Sequence, residues 1–359
     1  MSDQLHVDTL SAPPEQENSF TFTSMKIVSY LKEEHDQLAL LVDDLLYDVE
    51  LIHPDIPNTM NMFLSYWDEL SPVLQAGEIA IGEGHISAAK ATPVDQVRLL
   101  APVPFPASCR DGYAFRQHVA AARRNRKVPM IPEFDQYPVF YFTNHHSVQG
   151  PGEIRCMPDH FNKLDFELEV AIVIARQGRN IPAAEADGYI AGLMIMNDMS
   201  ARTLQMEEML LNLGPAKGKD FATATGPWLV TLDELRDLEI PCKEGHTGLN
   251  WNLRMRCRVN DVVVSDGNLG DMDWTFAELI ERASYGADLY PGDLIGSGTV
   301  GTGCFLELNG TGKLSDPDFR EQWLQEGDRI EMEVDGLGTL ENSIVREDSE
   351  LSLLQNKKK

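Results

Sequence analysis

The chain has 359 residues, 57 acids against 30 bases and a formal net charge of −27, which argues against nucleic acid or an anionic membrane surface as a partner. Hydrophobic content of 43% and charged content of 24% are those of a globular protein, and no apolar run nears the ~20 residues of a membrane span. The length suits two domains.

Residues 1–24 are rich in Ser, Thr, Pro, Gln and Glu and lack apolar periodicity, which predicts a mobile tail. No basic stretch leads into an apolar one there, so no secretory signal is expected. Met25–Leu31 and Gln37–Val42 read as two strands of a hairpin around a charged turn. Asn58–Leu74 has helical spacing, with Met60, Phe63, Leu64 and Trp67 on one side. Val97–Val103 is a further strand, closed by the proline-rich 102–106. Residues 25–100 are thus expected to form a small α+β domain, ahead of a larger domain over 101–345 and a polar end over 346–359.

From Cys109 to Arg124 the spacing predicts a helix with Asp111 at its cap and His118 two turns along on the same side. The basic cluster Arg123, Arg124, Arg126 and Lys127 is either a solvated charge run or a contact for an anionic substrate. His145, His146 and His160 match no metal-binding spacing.

Leu164–Ile174 ends as a continuous apolar run, the mark of a strand buried on both faces. It begins with alternation: Phe166, Leu168 and Val170 point one way, Glu167 and Glu169 the other. Two carboxylates side by side repel, and burial raises at least one pKa. A divalent cation that prefers oxygen would settle both; the other reading is an exposed strand end with two solvated acids. Tyr189–Met196 is a second buried strand, closing on Asn197-Asp198-Met199-Ser200. A helix is expected from about Ser200 to Asn212, with Arg202 and Gln205 in its first turns and Asp198 or Ser200 as cap.

Leu213–Lys219 reads as a loop and Phe221–Leu232 as loop then strand. Asn250–Val264 reads as a strand pair, Trp274–Tyr285 as an amphipathic helix, Leu294–Leu308 as a glycine-broken strand pair, and Arg329–Val334 as a late strand. The fold class is therefore α+β and β-rich. The five cysteines are scattered and include no CxxC pair, which predicts free thiols, neither zinc site nor disulfide framework, and a cytoplasmic location.

Several motifs fail on context. Gly296-Ser-Gly-Thr-Val-Gly301 fits GxGxxG, but the following Cys304–Leu308 reads as a strand where a dinucleotide fold needs a helix. Gly214 to Lys219 is too short for a P-loop. Asp266, Asn268, Asp271 and Asp273 lack the glycine and closing glutamate of an EF-hand. Neither HExxH nor GxSxG occurs.

Four carboxylates then stand at element ends: Asp111, Glu167, Glu169 and Asp198, with His118, Arg202, Gln205, Lys219 and Glu307 around them. Hard cations are usually gathered this way. The motifs Arg110-Asp-Gly-Tyr-Ala-Phe-Arg-Gln-His118, Leu164-Asp-Phe-Glu-Leu-Glu169, Met196-Asn-Asp-Met-Ser-Ala-Arg202, Gly218-Lys-Asp-Phe-Ala-Thr223, Gly292–Thr299 and Phe305-Leu-Glu-Leu308 resemble, in order, those of the fumarylacetoacetate hydrolase family over roughly residues 25–340.

That resemblance implies a β-rich catalytic domain with a rolled mixed sheet, a small preceding domain and a homodimer. It implies a divalent cation, Mg²⁺ first and Mn²⁺ or Ca²⁺ as alternatives, on Asp111, Glu167, Glu169 and Asp198, with Thr223 helping to hold the region. It implies His118 as the water-activating base oriented by Glu307, with Lys219, Arg202 and Gln205 completing the catalytic set. Tyr113, Tyr141 and Thr299 join Arg202 and Gln205 as expected substrate contacts. Thr203 stands where the family often has Asp, which bears on the substrate.

The implied substrate is a small diketo or 2-oxo acid. A chelated 1,3-dicarbonyl is polarised toward its enolate, and a His backed by a carboxylate supplies a base. Hydrolysis of a C–C bond is the first reading. Decarboxylation or keto–enol isomerisation of a 2-oxo acid is the second, and a non-catalytic cation-binding protein the third.

Overall fold

The structure, a computed structural model, describes residues 25–358. The tail expected over 1–24 lies outside the described residues. Lys26–Lys32 (β1) and His35–Val42 (β2) make the expected hairpin, with Ile27 opposite Leu40. Its turn residues Glu33 and Glu34 both have positive φ, 49° and 68°, the geometry that matches strand twist in a two-residue hairpin. Leu45–Asp48 (β3) follows through a similar turn. The helix expected over 58–74 is split where Tyr66 leaves helical geometry, and its main part is Trp67–Gly82 (α1).

The single helix expected from Cys109 is instead a strand, Cys109–Gly112 (β4), then a helix, Arg116–Asn125 (α2). Strand pairing on both sides overrides the local helical pattern there. Then come Phe140–Thr143 (β5), Gly152–Cys156 (β6), Leu168–Ile174 (β7) and Ile190–Asp198 (β8). Arg202–Met209 (α3) begins after Ala201, so neither Asp198 nor Ser200 caps it by side chain. Ala216–Lys219 is one helical turn where a loop was expected.

Thr223–Val230 (β9), Arg254–Val259 (β10), Val262–Asn268 (β11) and Phe276–Ser284 (α4) match their expected types. Thr275 and Glu278 cap α4 reciprocally. After Leu294–Gly296 (β12) the chain forms a helix, Phe305–Ser315 (α5), where a strand was expected. The Leu-Glu-Leu alternation misleads because the deciding group is remote: the Asp165 carboxylate accepts from the N–H groups of Phe305 and Leu306 and so caps the helix start. Arg329–Val334 (β13) is as expected, and Gly338–Arg346 (β14) was not foreseen.

A twelve-stranded sheet runs from the short edge strand Thr92–Pro93 through β3, β2, β1, β9, β8, β7, β12 and β4 to β5, with Arg98–Leu99 pairing β1 and Val148–Gln149 pairing β9 off this path. The strands of the segment expected as an N-terminal domain extend this sheet, since β1 pairs with β9. A five-stranded sheet, β11-β10-β13-β14-β6, lies against one face. Val170 and Ile172 of β7 pack there with Met255, Cys257, Ile330 and Met332. Ala171 and Val173 face the other way, into a core with Phe63 and Leu74. Every residue of β7 is therefore buried, at roughly 1.5–3 kcal/mol for each large aliphatic side chain. That is the physical origin of its unbroken apolar run.

Candidate active site

The site lies where β8, β7, β12 and β4 run side by side. Asp198 is the last residue of β8, Glu169 the second of β7, and Asp111 lies on β4. Glu167 stands just before β7, tied to β8 by Asn197, whose Oδ1 accepts from its N–H at 3.2 Å. Between Glu169 and Asp111 runs Gly296 of β12, paired with Asp111. A Cβ at Gly296 would lie 2.6 Å from Asp111 Oδ1 and 3.0 Å from Glu169 Oε2. The glycine leaves the space in which carboxylates of strands on either side meet.

Asp111, Glu167, Glu169 and Asp198 each present an oxygen within 4.8 Å of the others, and all four are buried. Lys219 Nζ donates to Asp198 Oδ2 at 2.7 Å and to Glu167 Oε2. Arg202 donates to Glu167 Oε1 at 2.8 Å, to Asp165 Oδ2 at 2.8 Å and to Gln205 Oε1 at 3.0 Å. Tyr141 donates its hydroxyl to Asp198, and the Gly298 N–H donates to Asp111 Oδ1 at 3.1 Å. Thr299 Oγ1 is 3.4 Å from Glu169 Oε1.

Five carboxylates, counting Asp165, thus face two cationic side chains. Glu169 Oε2, Asp198 Oδ1 and the neighbouring Thr223 Oγ1 have no hydrogen-bond partner among the described residues. Unpaired buried acceptors are costly. Burial, then the Asp111 charge, pushes the Glu169 carboxyl well above its usual range. Burial and Asp198 raise Asp111 to about 7, and burial raises Asp198. Glu167 goes the other way, to about 2, because Lys219 and Arg202 outweigh its burial. A cluster of orphaned, mutually repelling carboxylate oxygens fits a hard divalent cation.

His118 and Glu307 meet beside this cluster. The imidazole Nδ1 of His118, on α2, is 2.6 Å from Glu307 Oε2, on α5. The expected reach from a capping Asp111 along one helix is corrected: Asp111 is on β4, and the sheet edge with the following turn sets the offset. Tyr113 stands edge-on to His118, centroids 5.9 Å apart. Asn125 on α2 donates to the Glu307 carbonyl at 3.1 Å, which holds the two helices together.

A cavity of about 690 Å³ opens over the site. Its polar floor includes Asp111, Glu167, Lys219, Arg202 and Gln205, with Thr299, Tyr113 and Tyr141 on its wall. His118 and Glu307 face it from one side. Of the basic cluster, Arg123 and Arg126 reach the wall, while Arg124 donates to Thr311 Oγ1 at 3.0 Å. The four carboxylates and the catalytic and substrate-contact residues expected from the sequence therefore lie at one place, while Arg124 and Lys127 of the basic cluster do not reach the cavity. Asp165 and Gly296 were given no role. Both stand inside the sequence motifs, but the partners that matter, Phe305 and Arg202 for Asp165 and Asp111 and Glu169 for Gly296, are remote in sequence.

The GxGxxG-like run does lead into a helix, contrary to the expectation. It carries no phosphate site, because Asp111 already accepts the Gly298 N–H and Gln117 packs where a Cβ on Gly301 would point. His145 and His146 stack on each other, and His160 stacks on Phe221. All five cysteines are free. Among the described residues no helix is long and apolar enough to cross a membrane.

Comparison with known proteins bears on the fold and the family. The solved maleylpyruvate hydrolase from Sphingobium sp. SYK-6, in complex with manganese(II) ion and pyruvate, superposes with a TM-score of 0.63 over 90% of this chain and 99% of that one. At 20% identity the likeness is one of fold. The fumarylacetoacetate hydrolase from Exiguobacterium antarcticum gives a TM-score of 0.65 at 23% identity, over 90% of this chain and 100% of that one. In sequence, the oxaloacetate tautomerase FAHD2A, mitochondrial, of Homo sapiens is 31% identical over 81% of each chain. The fumarylacetoacetase of Oryza sativa subsp. japonica is 30% identical over 76% of each. With residues 108–345 matching the model of the fumarylacetoacetate (FAA) hydrolase C-terminal region, the chain belongs to the fumarylacetoacetate hydrolase family.

Proposed function

We propose that the protein is a divalent-cation-dependent hydrolase that cleaves a C–C bond in a diketo acid of the acylpyruvate type, such as fumarylacetoacetate. The observation that carries this reading is the buried His118–Glu307 pair, 2.6 Å apart, facing the same cavity as the four-carboxylate cluster. A purely structural cation site has no use for such a pair.

When bound among Asp111, Glu167, Glu169 and Asp198, a divalent cation supplies Lewis-acid polarisation of two substrate oxygens, with Mg²⁺ first and Mn²⁺ or Ca²⁺ as alternatives. The rest falls to side chains. Glu307 accepts the Nδ1 proton of His118, which fixes the tautomer and leaves the other ring nitrogen free as a base. His118 takes a proton from water as the water oxygen bonds to the substrate carbonyl carbon. Lys219 and Gln205 hold the oxyanion that develops. Gln205 suits this, because its Oε1 is occupied by Arg202 and its amide N–H groups are left to donate. The C–C bond then breaks, its electron pair passes into the leaving enolate, and His118 returns the proton to carbon. Tyr113 and Thr299 line the substrate space, while Tyr141 bonds Asp198.

A second reading is keto–enol tautomerisation of a 2-oxo acid, favoured by the named activity of the human relative. The same His118 would then carry a proton between carbon and solvent, with no bond to water oxygen. Homodimerisation and a reducing compartment, the cytoplasm first, belong to the proposal too; light scattering should return twice the chain mass.

The test is incubation with acylpyruvates, fumarylacetoacetate and oxaloacetate plus Mg²⁺ or Mn²⁺, following enol absorbance and identifying products by chromatography. Two carboxylic acid products from an acylpyruvate support hydrolysis. Interconversion of oxaloacetate tautomers without cleavage of any diketo acid overturns it in favour of the second reading.

A further inference from the structure

Asp165 is loaded with donors although it stands outside the four-carboxylate cluster. It is fully buried. Its Oδ1 accepts from the N–H of Phe305 at 2.8 Å and its Oδ2 from the N–H of Leu306 at 2.9 Å, the first two residues of α5. Its Oδ2 also accepts from Arg202 Nε at 2.8 Å and lies 2.7 Å from Arg202 Nη2. Its Oδ1 takes the N–H of Phe166 at 3.0 Å as well. Glu307 is the third residue of α5, and Arg202 reaches Glu167 with the same Nη2 that faces Asp165. No side chain of Cys304 caps this helix.

We propose that Asp165 is the positioning residue that joins the two halves of the site. One carboxylate caps the helix that carries Glu307 and anchors the guanidinium that holds Glu167. It touches no cavity space, so it acts through these residues. The physical reason is that a short N-terminal helix turn held only by its own backbone frays. Glu307 needs a placement better than about 0.5 Å to keep Nδ1 of His118 in line. An anionic acceptor at the helix start supplies it, strengthened by the helix dipole. Arg202 in turn needs two anions on one fork to stay flat against Glu167.

This inference rests on the reading of His118 and Glu307 as a base pair, and the experiment separates the two. The wild-type proton spectrum should contain a far-downfield His118 Nδ1–H resonance, absent in His118→Ala. Asp165→Asn should lose or broaden it and lower kcat ~10–100-fold at near-constant KM, the scale of a small misplacement. Asp159→Asn is the structural control. Asp159 is another buried carboxylate loaded with donors, from Ser352, Leu353 and Leu354, and is absent from the cavity wall. That variant should lose melting temperature and keep both the resonance and kcat.

A folded Asp165→Asn with the resonance intact and kcat within twofold of wild type overturns the proposal. So does a kcat loss no greater than that of Asp159→Asn at an equal drop in melting temperature. If Asp165→Asn does not fold, Arg202→Lys, which keeps the charge but loses the planar Nε and Nη2 pair that faces Asp165, must broaden the resonance and lower kcat; an unchanged spectrum and rate there overturn it equally. A wild-type enzyme that cleaves no diketo acid defeats the hydrolase reading while the resonance still reports on Asp165.

Discussion

His118 Nδ1 and Glu307 Oε2 lie 2.6 Å apart although 189 positions separate them in the chain. Removing a general base costs ~10²–10⁴-fold in rate. His118→Ala should lose that much kcat on a diketo acid while still binding Mn²⁺. Glu307→Ala should lose rate as well, and the double variant should fall little further than the worse single one, since the pair works as a unit. Near-normal C–C cleavage by His118→Ala would refute the mechanism.

Glu169 is fully buried, and its Oε2 meets no donor among the described residues. Glu169→Gln keeps the shape and removes the charge. Isothermal calorimetry should show Mn²⁺ affinity reduced at least ~10-fold, and turnover should vanish. Unreduced affinity would remove Glu169 from the ligand set.

Gly296→Ala probes the same cluster through space. The new methyl would lie 2.6 Å from Asp111 Oδ1 and 2.5 Å from the terminal methyl of Met196. Met196 can shift, but Asp111 must move off its position. The expected outcome is a ~10–100-fold loss of Mn²⁺ affinity with only modest loss of melting temperature. An unchanged affinity would mean that Asp111 has room to relocate.

Cation binding should release protons. Glu169 and Asp198 sit above their usual range because of burial, and Asp111 is raised to about 7. Asp111 therefore holds a proton below about pH 7 in the cation-free protein, and a cation must displace it. Affinity therefore rises with pH through the window below about pH 7, by ~tenfold per pH unit for each proton displaced. Calorimetry in buffers of different ionisation enthalpy counts those protons, and a pH-independent affinity would contradict the assignment.

His160 sets a separate pH dependence. Burial, and then Lys217, lower its pKa from 6.5 to about 4, and its Nδ1 accepts the Met157 N–H at 3.2 Å, which a proton there would abolish. The folded state thus binds this proton later than the unfolded state. Stability from the neutral ring is complete above pH 6.5 and is lost as pH falls toward 4, by up to about 3 kcal/mol. His160→Gln should melt lower than wild type at pH 7.5, and the gap should narrow as pH falls to ~4.5. A constant gap would show that the ring does not titrate in this way.

Much of the site was legible because its chemistry is carried by residue types at element ends. The Glu167/Glu169 alternation, the strand closing on Asp198, and His118, Lys219 and Glu307 all stand in short motifs readable one at a time. The two-sided burial of β7 was also legible, since a strand covered on both faces must be apolar throughout. The nature of the segments around Asp111 and Glu307 was not. Cys109–Gly112 is a strand because β12 and β5 pair with it, and Phe305–Ser315 is a helix because Asp165 caps it from 140 residues away. Local pattern is a weak guide wherever a distant backbone or carboxylate satisfies the hydrogen-bonding groups. The same holds for Gly296, whose missing side chain matters only once two strands have placed carboxylates on either side of it. Sequence determined which groups are candidates for the site and which strand is the core. Tertiary structure alone decided what holds those groups still, because the holding contacts join residues that share no local pattern.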